Sequence, residues 1–139
     1  MEDFTTFVCF TMRTAMKKLD KFLAARLEAY GVSVPQSFVL FCLLEDDGIT
    51  LKEIGNRAQI DSSSMTVLVD KLENEGLVER KLDPQDRRAI RVFLTEKGKE
   101  LGVKVLSVGA EFNQYIRNNL ADVEQPFFKG LELVSNAME

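Results

Sequence analysis

The sequence predicts a mainly α-helical chain with one small β-hairpin, a winged helix–turn–helix flanked by long helices at both ends. Three observations carry this. Met65, Leu68, Val69 and Leu72 fall at i, i+3, i+4 and i+7, one buried stripe of a helix. Gly76 follows, where a helix often closes on a left-handed residue. Two β-prone runs, Leu77–Lys81 and Ile90–Leu94, then bracket a polar tip, Asp83-Pro84-Gln85-Asp86-Arg87-Arg88.

The remaining elements follow in chain order. Residues 4–30 carry Phe4, Val8, Met12, Ala15, Leu19, Phe22, Leu23 and Leu27 at helical spacing, without Gly or Pro. Such a helix would span roughly 40 Å, too long for a small domain to cover, so it is expected to pair with a second copy. Gly31 ends it. Ser33-Val34-Pro35-Gln36 has the form of a capping box and starts a strongly apolar helix over about 34–45. Glu45 to Gly48 read as a solvated turn, and Ile49 as a short strand. Thr50-Leu51-Lys52-Glu53 is a second capping box, opening a helix over about 51–58 with Leu51, Ile54 and Ala58 inward. That helix and the Met65 helix form the helix–turn–helix. Thr95 caps another long helix, about 96–118, and a last one runs to about Ala137 with Phe127, Phe128, Leu131 and Val134 apolar.

With 139 residues, 45% hydrophobic and 29% charged, the chain reads as one globular domain. Its winged-helix lobe spans about 34–96, between dimerisation helices at about 4–30 and 96–137. No apolar run approaches membrane-spanning length. Met1 leads straight into Glu2 and Asp3, so the basic start of a secretory signal is missing and a cytoplasmic location is expected. There is no histidine, which removes the usual general base and metal ligand. Cys9 and Cys42 have no metal-ligand spacing. Neither an enzyme nor a metal or cofactor site is expected.

The net charge of −4 is unevenly spread. Residues 76–99 carry seven Lys/Arg against four Asp/Glu, whereas residues 100–139 carry three against six. A bound duplex responds to the local field within a Debye length of roughly 8–10 Å, so the hairpin can face DNA.

A recognition helix enters the major groove with its N-terminal residues at base edges. Ser62, Ser63 and Ser64 suit that start, because small hydroxyls allow close approach and can donate to phosphate or base. Asp61 or Ser62 is expected to cap the helix, leaving the other serines and Thr66 for DNA. The outer face holds Ser63, Thr66, Val67 and Asp70, with Lys71 at its margin. An exposed Val67 can meet a thymine methyl. Arg87 and Arg88 at the hairpin tip would reach the adjacent minor groove. Asp86 is expected to hold one of these arginines by a charge-assisted pair.

At these residues the chain resembles the MarR (multiple antibiotic resistance regulator) family over nearly its whole length. The resemblance lies in the long first helix, Gln36 after a capped turn, Leu51-x-x-Ile54-Gly55 and the serines at 62–64. It continues through Leu68-Val69-Asp70-Lys71-Leu72-Glu73, Gly76-Leu77-Val78, Asp83-x-x-Asp86-Arg87-Arg88 and Leu94-Thr95-x-x-Gly98. It implies a homodimeric winged-helix regulator that binds a palindromic double-stranded DNA operator, usually as a repressor. It also implies release by a small phenolic or other anionic ligand, or by oxidation of a thiol. The family often has a basic residue where this chain has Val67, so base specificity there does not carry over.

One branch of the family senses organic hydroperoxides through an N-terminal cysteine, and Val8-Cys9-Phe10 resembles its start. That branch uses tyrosines in the first two helices; the only tyrosines here are Tyr30 and Tyr115, which do not match those positions. A ligand cleft between the dimer helices and the winged lobe is the preferred expectation, with Arg13, Met16 and Lys17 as candidate lining residues. A reading from another class is a winged helix used for docking a protein, which would have no need of Arg87 and Arg88 beside a serine-rich helix start.

Overall fold

The computed structural model describes residues 1–139. Six α-helices and one hairpin follow in the order α1 (Val8–Leu27), α2 (Val34–Glu45), α3 (Leu51–Ala58), α4 (Ser62–Asn74), β1 (Val78–Leu82), β2 (Ile90–Leu94), α5 (Glu96–Leu120) and α6 (Glu124–Ala137). This is the expected winged helix–turn–helix between long terminal helices.

The first helix is shorter than its apolar spacing suggests. Phe4–Thr6 form a 3₁₀ turn, and extended Phe7 (φ −63°, ψ 142°) separates it from α1. Asp3 accepts from the Thr5 N–H at 3.0 Å, and the Thr6 hydroxyl donates to the Asp3 carbonyl at 2.7 Å. Such local side-chain bonds compete with helical ones. Gly31 (φ 69°) closes the far end after a second 3₁₀ turn, Glu28–Tyr30.

Both capping boxes form. Gln36 N–H donates to Ser33 Oγ at 3.2 Å, and Ser33 N–H donates back to Gln36 Oε1 at 2.9 Å. Thr50 and Glu53 repeat the pattern at the start of α3. Ile49 does not form a strand of the sheet, which has two strands. It is instead held by a bridge: Gly48 N–H donates to the Val92 carbonyl, and Val92 N–H to the Ile49 carbonyl.

Strands β1 and β2 are antiparallel, with Val78 opposite Leu94 and Leu82 opposite Ile90. The first strand starts one residue later than expected, because Leu77 closes α4: its N–H donates to the Leu72 carbonyl while left-handed Gly76 donates to Glu73.

The core sits in the winged lobe. Val39, Leu40, Leu43, Ile54, Met65, Val69, Leu72, Leu77, Val78 and Val92 are buried together, and the long helices add Leu27 and Val105. Leu68, expected in the buried stripe of α4, is only half-buried and is not part of this cluster. Outside it, Phe22 of α1 stacks on Phe112 of α5 at 5.2 Å between ring centroids. Helix α6 has no buried residue, and Phe127 and Phe128 stay about half exposed. The N-terminal apolar residues Phe4, Phe7 and Val8 are likewise exposed. No single helix is long and apolar enough to cross a membrane.

Candidate nucleic-acid interface

Helices α3 and α4 meet at a three-residue turn, Gln59-Ile60-Asp61. Gln59 takes the left-handed conformation (φ 58°), and the Ile60 N–H donates back to the Gly55 carbonyl at 2.9 Å. The turn aims the start of α4 outward. Met65, Val69 and Leu72 fill the core, so the opposite side of the helix must face solvent. Ser62, Ser63, Ser64, Thr66, Val67 and Lys71 are all exposed.

Asp61 is the cap, and it engages more of the serine run than expected. Its carboxylate accepts from the Ser64 N–H at 2.8 Å, the Ser63 hydroxyl at 2.7 Å and the Ser64 hydroxyl at 3.0 Å. The backbone bond from Ser64, aided by the two hydroxyls, holds its carboxyl below the usual carboxylate range. Ser63 and Ser64 are therefore part of the cap, and the Thr66 hydroxyl donates to the Ser62 carbonyl at 3.1 Å.

Asp70 does not stand free on the outer face. Arg80 of β1 pairs with Asp70 at 2.7 Å and with Glu73 at 2.9 Å, locking the hairpin to α4. The Arg80 N–H also donates to Glu73, and that bond comes first in lowering the Glu73 carboxyl. Arg80 is itself pushed up, chiefly by its hydrogen bond to Glu73.

The wing tip departs from expectation at Asp86. Its carboxylate accepts from the Arg88 backbone N–H at 3.0 Å and makes no ion pair with Arg87 or Arg88. A short aspartate in a tight turn reaches the backbone two residues on more easily than a long guanidinium beside it. The arginine held by a carboxylate is Arg91. Its Nε donates to Asp83 at 2.9 Å, and its Nη1 to the Gly48 carbonyl at 2.8 Å. Asp83 also accepts from the Gln85 N–H, the first cause of its lowered carboxyl, with Arg91 assisting. Arg87 and Arg88 remain exposed cations with no acidic partner.

One cleft of about 740 Å³ separates α3 and the start of α4 from the wing. Ser62 and Thr66 line it from one side, and Asp86 and Arg88 from the other. Ser63, Ser64, Val67, Lys71 and Arg87 lie outside it. Lys52 and Asn56 of α3 also line it, and the motifs in the sequence did not single them out. Their signal was present: with Leu51, Ile54 and Ala58 inward, residues 52 and 56 are one turn apart on the opposite side. The whole face offers fixed helix position, small side chains and unpaired cations, which suits a polyanion with readable edges.

A second, open cleft of about 1110 Å³ lies between α1 and the winged lobe. Met16, Lys21, Gln36, Gln59 and Lys71 line it; Arg13 and Lys17 are exposed elsewhere on α1. Cys9 is exposed near the start of α1. Cys42 is buried, and burial pushes its thiol up. The chain contains no cluster of His, Cys, Asp and Glu that could hold a metal ion.

The profile of the MarR family matches residues 32–90, which include both helices of the turn and most of the wing. The transcriptional regulator TtmR of Methylorubrum extorquens is 36% identical over 98 residues, 70% of this chain and half of its own length. The chain thus spans about half of that relative. SarZ of Staphylococcus epidermidis is 30% identical over 121 residues, 87% of this chain and 72% of SarZ. The organic hydroperoxide resistance transcriptional regulator of Bacillus subtilis is 28% identical over 101 residues, 73% of this chain and 69% of that protein. Among solved structures, Streptomyces coelicolor PcaV in complex with its natural ligand superposes with a TM-score of 0.84 at 26% identity, covering 100% of this chain and 99% of PcaV. The MepR–DNA complex of S. aureus shares the fold with a TM-score of 0.85 at 22% identity, over 96% of this chain and 98% of MepR. Family profile, relatives and fold agree, and the chain belongs to the MarR family of winged helix–turn–helix transcriptional regulators.

Proposed function

We propose that the chain is a homodimeric repressor that binds a palindromic double-stranded DNA operator through α4 and the wing, in the cytoplasm, and is released by a small anionic or phenolic ligand. The observation that carries this reading is the pairing of faces across the 740 Å³ cleft: exposed Ser62 and Thr66 opposite unpaired Arg88, with Arg87 beside it. Ser62, Ser63, Ser64, Thr66, Val67 and Lys71 meet the major groove, and Arg87 and Arg88 the neighbouring groove or its phosphates. Asp86 shapes the tip. The exposed apolar residues of the first ten positions and of α6 form the dimer interface, so that residues 34–96 make the DNA-binding lobe and 4–30 and 96–137 the dimerisation helices. MepR, which shares this fold, has been solved bound to DNA.

Ligand control is assigned to the α1 cleft, which contains Met16 and Lys21. Arg13 and Lys17 lie on the same helix outside this cleft, so Lys21 is the α1 cation it offers to an anion. PcaV, similar over its whole length, is solved with its natural ligand. The reading is tested by incubating the full chain with sheared genomic DNA and sequencing what it retains. Enriched inverted repeats are expected. Retention without sequence preference would overturn the operator, and no retention at all would favour the protein-docking winged helix instead.

A thiol-based organic-peroxide sensor of the same family is the second reading. It is favoured by the exposure of Cys9, by Arg13 one helical turn away, and by the likeness to the B. subtilis hydroperoxide regulator. The Cys9→Ser variant is expected to keep DNA binding and ligand release. If hydroperoxide releases the parent from DNA and not the variant, the thiol reading replaces the ligand one.

A further inference from the structure

The hydroxyl groups on α4 have a definite polarity. A carboxylate and a backbone carbonyl can only accept, so the hydroxyl at each of these contacts must be the donor. Ser63 gives its hydrogen to Asp61 at 2.7 Å, Ser64 gives its hydrogen to Asp61 at 3.0 Å, and Thr66 gives its hydrogen to the Ser62 carbonyl at 3.1 Å. What these side chains turn outward is lone pairs. Ser63 and Val67 lie one turn apart, opposite Met65 and Val69, and Val67 is 63% exposed. The same face carries no free arginine or lysine between Ser62 and Asp70, and Asp70 is tied to Arg80.

In the major groove, guanine offers acceptors at O6 and N7, which lone pairs repel. Adenine and cytosine offer amino hydrogens, and only thymine adds a methyl group. We propose that the Ser63–Val67 stretch of α4 selects A·T base pairs, Ser63 and Thr66 accepting from the adenine 6-amino group while Val67 packs on the thymine methyl; Ser62 and Lys71, at either side of this stretch, keep free donors for phosphates or neighbouring bases. The inference rests on the operator-binding reading above and names the chemistry that the helix recognises. Asp61 then does more than cap the helix, because it holds the Ser63 and Ser64 hydroxyls so that they cannot donate, as the Ser62 carbonyl does for Thr66.

The test starts from the DNA that the full chain selects out of a random duplex library. In that duplex each adenine is replaced in turn by purine lacking the 6-amino group, each thymine by deoxyuridine, and each guanine by its 7-deaza analogue. Loss of one amino group is expected to weaken binding on the order of tenfold. That loss should shrink in Ser63→Ala or Thr66→Ala, and the deoxyuridine loss should shrink in Val67→Ala. Asp61→Gly, which retains a serviceable N-cap, should free the serine hydroxyls and admit guanine at the same positions; an Asp61→Gly selection unchanged from the parent would overturn the role given to Asp61. If losses instead follow removal of guanine N7, and vanish in Ser63→Ala, the hydroxyls donate and the inference is overturned while operator binding stands. If no sequence is selected at all, the operator-binding reading fails and takes this one with it.

Discussion

Arg91 and Asp83 are joined by a hydrogen-bonded ion pair of 2.9 Å at the base of the wing tip. The same guanidinium donates to the Gly48 carbonyl, 43 residues away in sequence, and so ties the wing to the loop between α2 and α3. Arg91→Ala should loosen the tip without unfolding the helices. DNA affinity is expected to fall several-fold while the helical circular dichroism stays unchanged. The slope of log K against log salt should hardly move, because Arg91 is occupied inside the protein and neutralises no phosphate. Arg91→Lys should recover little, since one ammonium cannot reproduce the planar two-way fork.

Gly98 on α5 lies against the Leu77 carbonyl at the start of the hairpin. A Cβ at this position would stand 1.9 Å from the Leu77 oxygen, and that oxygen belongs to backbone that cannot step aside cheaply. Gly98→Ala should cost about 1–3 kcal/mol of stability through overpacking. Urea unfolding of parent and variant measures it. Equal midpoints would show that α5 can slide away from the hairpin.

Four carboxyls, Asp3, Asp61, Glu73 and Asp83, sit below the usual carboxylate range in the folded chain, each accepting a backbone N–H bond. The folded state therefore binds fewer protons than the unfolded chain within that range. Their stabilisation is complete above it and is lost as pH falls through the depressed folded values, beginning below about pH 5. Thermal melts on a falling pH series should show Tm declining there. Asp61→Asn should lower Tm at neutral pH and flatten part of the acid decline, since its amide does not titrate. Parallel curves for the two chains would mean that the cap is not formed.

Much of this arrangement is legible from neighbours in sequence. Ser33 with Gln36, Thr50 with Glu53, and Thr95 before Gly98 are local pairs whose bonds need only one helical turn, and all three caps form as read. Gly76 is equally local. The misreadings involve choices among partners. Asp86 had two neighbouring arginines and took a backbone N–H instead. Arg80 and Arg91 found carboxylates 7 to 10 residues away only because the hairpin folds onto α4 and the tip closes on Asp83. Gln59 takes a left-handed conformation without being glycine, imposed by the turn between two packed helices. At Phe7 a helical apolar pattern continued through a break that the hydroxyl of Thr6 helps to make.

Phe127 and Phe128 of α6, with Phe4, Phe7 and Val8 at the other end of the chain, leave apolar surface that this protomer does not cover. Sedimentation at micromolar concentration is expected to give twice 15.7 kDa. Phe127→Glu should shift the population toward monomer and weaken operator binding steeply, because two half-sites are no longer held together. A parent chain of 15.7 kDa in solution would remove the dimer and the palindrome together.

In the proposed complex the wing and the recognition helix share one duplex, the wing supplying affinity and the helix supplying discrimination. Salt titrations of the parent and Arg88→Ala on operator and on scrambled duplex separate the two contributions. Arg88→Ala should weaken both duplexes alike and reduce the salt slope by about one unit for each phosphate that a subunit no longer neutralises. Unchanged scrambled-DNA affinity with an unchanged slope would mean that the wing does not touch DNA, and the shared duplex would be ruled out.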